Sequence, residues 1–328
     1  MNWEKAIFSI KNEEDFNSLA LLIFQFQKQN CEVYSNYLTH IGFDISPKHY
    51  TEIPFLPIQF FKTHKVLSKN NFIKTFESSG TSLSTQTSKH FVHDLSIYHQ
   101  SAVKNFTQNF GNIETYTILG LLPSYLERNN SSLVEMVNYF MKLSNQKDNG
   151  FFLHNHFELN QTLVELEKQN KKILLFGVAF ALLDFFTAYP MKLKNTTIIE
   201  TGGMKGRKTE IIKEELHQLL KLQSGTNQIY SEYGMTELLS QGYTSQNQYF
   251  SSPSWVKILI RDLNNPFSIL PNKNTGGINI IDLANVYSCS FIATDDLGKK
   301  TQDNLFQVLG RIDQSDVRGC SLLAIENN

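Results

Sequence analysis

The sequence predicts an α/β protein: a parallel βαβ core followed by a smaller β-rich unit. Three observations predict it. Between about Asn71 and Gly234, short β-prone runs alternate with amphipathic helical runs, the pattern of consecutive βαβ units. After Gly242 the helical runs stop, and short strands separated by Asn, Pro and Gly turns take over. The chain has 328 residues, 41% of them apolar, enough to bury a large core.

The elements follow in chain order. From Glu13 to His40, Phe16, Leu19, Ile23 and Phe26 recur at helical spacing, and Gly42 supplies a stop before the Pro-punctuated SPKHYTEIPFLPIQFF stretch. The core runs are NFIKTF, a helix after Asp94, TYTILGLL, a helix after Ser132, KKILLFGV, TTIIE, a helix after Thr209, and QIYSEY. Ser132 and Glu135 have capping-box spacing. Ile212, Leu216, Leu219 and Leu220 form one apolar helical stripe. The strands expected after Gly242 are WVKILIRD, FSIL, INIID, SFIATDD and LFQVLGR. The expected organisation is one unit over 1–328: a helical lead-in at 1–56, the α/β core at 57–250, and a β-rich subdomain at 251–328.

Composition excludes several function classes. Thirty Lys and Arg against 31 Asp and Glu give a net charge of −1, without the basic patch that nucleic-acid binding requires. Cys31, Cys289 and Cys320 lack CxxC spacing, so neither a disulfide framework nor a zinc site is expected, and a reducing cytoplasm suits them. The N-terminus does not read as a signal peptide. The longest apolar run, 173–183, falls short of the roughly 20 residues of a membrane helix.

Four segments carry candidate chemistry. Positions 78–88 read SSGTSLSTQTS, a hydroxyl-rich loop before Lys89 whose donors suit phosphate oxygens. Neither a Walker A loop nor a GxSxG elbow occurs. In Tyr233-Gly234-Met235-Thr236-Glu237, a hydroxyl and a carboxylate on one turn can serve Mg²⁺ and phosphate, and the ring can stack on a base. Thr294-Asp295-Asp296-Leu297-Gly298 and Gly310-Arg311-Ile312-Asp313, the latter continuing to Arg318-Gly319, offer an Asp for a ribose diol and an Arg for ribose or phosphate.

The order SSGT, YGMTE, TDDLG, GRIDxxxxRG resembles the adenylate-forming superfamily of acyl-CoA synthetases and related ligases. Within it, PSYLERNNSSLVEMV and IIETGGMKGRKTE resemble the acyl-protein synthetase (LuxE) family. The resemblance, over roughly residues 50–320, implies the large-domain fold of that superfamily, use of ATP and Mg²⁺, and activation of a fatty acid or other carboxylic acid. It implies that Ser79, Gly80 and Thr81 cradle phosphates, Tyr233 lies against adenine with Gly234 beside it in the cofactor-binding set, Thr236 meets the α-phosphate and Glu237 holds Mg²⁺. It places the ribose on Asp296, a nucleotide contact on Arg311, the hinge on Asp313, and Gly202 and Gly203 in a wall by the site. Lys205 is a nearby candidate charge.

Two departures stand out. Leu83 occupies a place where the family commonly has a second Gly, and the sequence ends shortly after Gly319 and Cys320. The second leads to the expectation that the lid domain with its catalytic Lys is absent, and that a partner protein resembling an acyl reductase supplies charge and the accepting thiol. A phenylacetate-type acyl-CoA ligase and a non-catalytic adenylate- or acyl-binding partner are the alternatives.

Overall fold

The computed structural model describes residues 1–78, 86–123, 127–202, 211–244, 249–301 and 305–312. Five strands form the parallel part of a 12-stranded sheet, in spatial order Gly150–Phe151, Thr117–Leu121, Ile173–Val178, Thr196–Thr201 and Ile229–Tyr233. TILGL is wholly buried and ILLFGV nearly so, as expected of strands covered on both faces. The sheet then continues antiparallel through Gly242–Thr244, Phe250–Ser251, Phe306–Arg311, Phe291–Lys300, Thr275–Asp282 and Val256–Arg261. Leu56–Pro57 adds a short parallel pairing onto Phe291–Lys300. The segment after Gly242 is therefore β-rich as expected, and it is hydrogen-bonded into the same sheet through the Phe250–Phe306 pair.

Four local expectations are corrected. Lys74–Glu77, from NFIKTF, is a strand, but it forms a separate antiparallel hairpin with Lys89–Val92, because its pairing partner lies immediately beyond the hydroxyl-rich loop. FSIL contributes only an isolated bridge, Ile269 to Arg261. The helix Ser132–Ser144 is capped by Ser131, whose Oγ accepts from Val134 N at 3.4 Å. Glu135 is drawn instead to His99 at 2.9 Å and Lys74 at 3.4 Å. In the helix Lys213–Ser224, Leu216 and Leu220 face the core with His217, whereas Ile212, just outside it, is 66% exposed.

The lead-in packs directly on the sheet. Helices Glu13–Asn30 and Glu32–His40 bury Phe16, Ile23, Phe24 and Tyr34 in the larger apolar cluster. Buried Gln27 donates to the carbonyls of Asn285 and Val286 at 3.0 Å and accepts from Ser290 N at 3.0 Å. A second cluster lies under Ala179–Ala188 and Lys213–Ser224, built on Leu175, Phe185 and Leu220. Among the described residues, no helix is long and apolar enough to cross a membrane.

Candidate active site

In parallel α/β sheets, ligands bind beyond the carboxyl ends of the strands, and two of these strands end there in motif residues. Thr196–Thr201 runs into Gly202, whose φ of 72° is readily adopted only by glycine. Ile229–Tyr233 runs into the YGMTE turn. A side chain on Gly234 would meet the Glu232 carboxyl, so glycine there leaves that buried acid its place under the turn.

The antiparallel half supplies the opposite wall. Asp296 and Arg311 are cross-strand partners, and Arg311 Nε lies 3.7 Å from Asp296 Oδ1. The Tyr233 hydroxyl donates to Asp296 Oδ2 at 2.7 Å. Burial and the Asp296 charge raise the Tyr233 phenol well above its ordinary range, so it stays a donor. Burial also raises the Asp296 carboxyl, opposed by the bond from Tyr233 and by Arg311. The Tyr233 ring packs against Phe250 and Phe306, with centroids 5.7 and 5.6 Å away.

Behind Asp296, buried Arg261 donates to the carbonyls of Ile278 at 2.8 Å and Thr294 at 2.6 Å, and to Asn279 Oδ1 at 2.9 Å. Thr294 Oγ1 accepts from Asp296 N at 3.1 Å. Gly277 permits this approach, since a Cβ there would lie 2.5 Å from Arg261 Cζ.

Glu237 is 6% exposed, so the acid of YGMTE is built into the structure instead of projecting from a turn. Burial raises its carboxyl, opposed by a hydrogen bond from the Ser88 side chain and by the charges of Arg311 and Lys62. The backbone around it is held from two sides. Asn285 Nδ2 donates to Glu237 O at 2.8 Å, and Leu239 N donates to Asp282 Oδ2 and Asn285 Oδ1, each at 3.0 Å. His90 Nδ1 contacts the Thr236 carbonyl at 3.1 Å.

Tyr233, Asp296 and Arg311 therefore converge, and Thr236 and Glu237 sit on the adjoining turn. Ser79, Gly80, Thr81, Gly203, Lys205, Asp313 and Cys320 lie outside the described residues. The stems of the hydroxyl-rich loop are closed on each other: Ser78 N donates to Ser88 O, and Ser88 N to Ser78 Oγ, both at 3.0 Å.

Sequence reasoning missed four groups beside the site. Glu200 accepts from Ser231 Oγ, with His217 Nε2 and Lys213 Nζ each 3.3 Å away. Glu232 accepts from Thr201 Oγ1, and burial raises its carboxyl to about 7. His90 and Asp282 hold the turn from behind. An acid at the end of the β-prone run TTIIE, and another just before YGMTE, were the available signals.

The fold is found in larger solved enzymes. ATP-bound MatB from Rhodopseudomonas palustris superposes with a TM-score of 0.55 at 15% identity, over 75% of this chain and 48% of that one. An open conformation of 2-hydroxyisobutyryl-CoA ligase, in complex with 2-HIB-AMP and CoA, gives 0.65 at 10% identity over 92% and 75%. The luciferase-like enzyme of the mealworm Zophobas morio gives 0.53 at 15% identity over 75% and 59%. This chain spans about half the length of the MatB structures it matches. No curated protein matches the sequence.

Fold and motif order together define the class, an adenylate-forming ligase fold. Over residues 7–327 the sequence matches the family "Acyl-protein synthetase, LuxE". The protein belongs to that family.

Proposed function

We propose that the protein activates a fatty acid, or another carboxylic acid, as its acyl-adenylate and passes the acyl group to a thiol on a partner protein in the cytoplasm. A carboxylate is a poor electrophile because its oxygen leaves badly. Its attack on the α-phosphorus of ATP breaks the bond to the β-phosphate, releases pyrophosphate and makes AMP the leaving group. A thiolate then attacks the acyl carbon, forming the thioester and releasing AMP.

The observation that carries this reading is the convergence of Tyr233, Asp296 and Arg311 beside the turn of Thr236 and Glu237. Asp296 suits a ribose diol and exposed Arg311 a phosphate or ribose oxygen, while Thr236 faces the reacting phosphate from the turn. Ser79, Gly80 and Thr81 are assigned to the other phosphates by their motif, and the flanking residues Ser78 and Ser88 are hydrogen-bonded to each other. Gly202 borders the acyl side, and Gly203 and Lys205 are assigned beside it by their motif alone.

The donor set fits Mg²⁺. The Glu237 carboxylate and Thr236 hydroxyl are hard oxygens, and Mg²⁺ ordinarily takes one or two carboxylates and completes its shell with water and phosphate. Accordingly, no cluster of three His, Cys, Asp or Glu is needed, and none occurs among the described residues. When bound, the ion would neutralise charge on the phosphates.

The deciding experiment is ATP–pyrophosphate exchange across carboxylic acids of graded length. Exchange that depends on a long-chain acid supports the reading, and ATP binding without exchange for any acid refutes it. Because the 2-hydroxyisobutyryl-CoA ligase structure holds CoA, the acceptor is tested with CoA against candidate partner thiols. Consumption of the adenylate by CoA alone would assign the second reading, an acyl-CoA ligase.

A further inference from the structure

His90 lies on Lys89–Val92, the strand that leaves the hydroxyl-rich loop, and is 1% exposed. A buried histidine needs a partner for each ring nitrogen, and here the partners are specific. Nδ1 is 3.1 Å from the Thr236 carbonyl, which can only accept, so Nδ1 carries the proton. Nε2 then accepts from Ser288 Oγ at 2.7 Å. The ring meets Phe61 edge-on, with centroids 5.6 Å apart. Two residues earlier on the same chain, the Ser88 side chain is hydrogen-bonded to the Glu237 carboxyl. One short segment thus reaches two consecutive residues of the YGMTE turn, the backbone of Thr236 and the side chain of Glu237.

We infer that His90 is a positioning residue for adenylation: with Ser88 it clasps the turn of Thr236 and Glu237 to the strand that follows the hydroxyl-rich segment, fixing where those two residues stand. The inference rests on the adenylation reading above. It requires an uncharged donor at the Nδ1 position, not an acid or a base. An amide nitrogen of similar reach would meet the same requirement.

The test compares His90→Leu, which removes the donor, with His90→Asn, whose Nδ2 stands near the Nδ1 position. Both are made in the full chain, with circular dichroism as the check on folding. Exchange kinetics give kcat, and calorimetry gives the Kd for ATP. In His90→Leu, kcat should fall about 10- to 100-fold, as for a small misplacement of reacting groups, while Kd changes less than about threefold because Tyr233, Asp296 and Arg311 are untouched. His90→Asn should return kcat to within about threefold of the parent. If His90→Leu does not fold, Ser288→Ala, which frees Nε2, should lower kcat at unchanged Kd. Equal kcat in parent and His90→Leu, or equal losses in the Leu and Asn variants, overturns the inference while leaving adenylation intact. A parent protein without exchange overturns both.

Discussion

The Tyr233 hydroxyl donates to Asp296 Oδ2 at 2.7 Å, tying the last residue of the parallel strands to an antiparallel strand 63 positions later. The bond orients the carboxylate that the ribose reading requires. Removing it in Tyr233→Phe should weaken ATP binding about 3- to 10-fold, and Asp296→Asn should weaken it at least about tenfold, since hydrogen bonds to charged groups contribute about 1.5–3 kcal/mol. Calorimetry measures both, and parental affinity in Asp296→Asn would remove it from the nucleotide site.

Arg311 separates binding from stability. Its side chain is 81% exposed and its Nε is 3.7 Å from Asp296, so Arg311→Ala should leave the thermal midpoint nearly unchanged. The same variant should weaken ATP binding about tenfold, as loss of a charged contact does. Parental affinity in the variant would show that Arg311 does not meet the nucleotide.

Glu237 must be ionised to hold a cation, and burial raises its carboxyl. Exchange should therefore rise with pH on the acidic side as Glu237 loses its proton. Glu237→Gln should lower the rate about 10²-fold, keep the fold, and lose that acidic limb. A variant with the parent's rate and pH profile would end the metal assignment.

Glu232 tests pH dependence through stability. Its carboxyl is raised to about 7 from the ordinary 4.5, chiefly by burial and further by Glu200, with Thr201 and Lys213 opposing. A group whose folded pKa is raised contributes stability below its unfolded pKa and loses it as pH rises through the folded value. Glu232→Gln cannot titrate, so its stability relative to the parent should improve between about pH 5 and pH 8, by up to about 3 kcal/mol. His90, lowered to about 4, has the opposite slope, but it is common to both proteins and cancels in the difference. Denaturant titrations at the two pH values check this, and a difference that does not move with pH would contradict it.

Gly277→Ala places a methyl 2.5 Å from Arg261 Cζ and forces the guanidinium off the Ile278 and Thr294 carbonyls. Overpacking of this kind should cost about 1–3 kcal/mol in urea unfolding. Because Thr294 supports Asp296, ATP affinity should fall as well. An unchanged urea midpoint would show that Arg261 finds other partners freely.

Much of the parallel core was legible in the sequence because its signals are local. ILLFGV is apolar throughout and TILGL apolar after its first Thr, and Gly225, with a φ of 69°, stops the helix before QIYSEY. Local reading failed where two structures shared one pattern. NFIKTF has the composition of a core strand, yet it pairs with the next segment of chain as a hairpin. Ser131 and Ser132 are chemically equal caps, and the entry of the chain into the helix chose between them.

The sequence by itself determined the motif order, and with it the residue types at Tyr233, Thr236, Glu237, Asp296 and Arg311. Only the tertiary structure decided that Asp296 and Arg311 are cross-strand partners, that Tyr233 reaches Asp296, and that His90 holds Thr236 across a sequence separation of 146. The physical reason is range: helix periodicity, strand texture and turn chemistry are set by neighbours a few residues away. The charge and hydrogen bonding of a buried group such as Glu237 or Glu232 are set by whatever strand the closing sheet brings beside it.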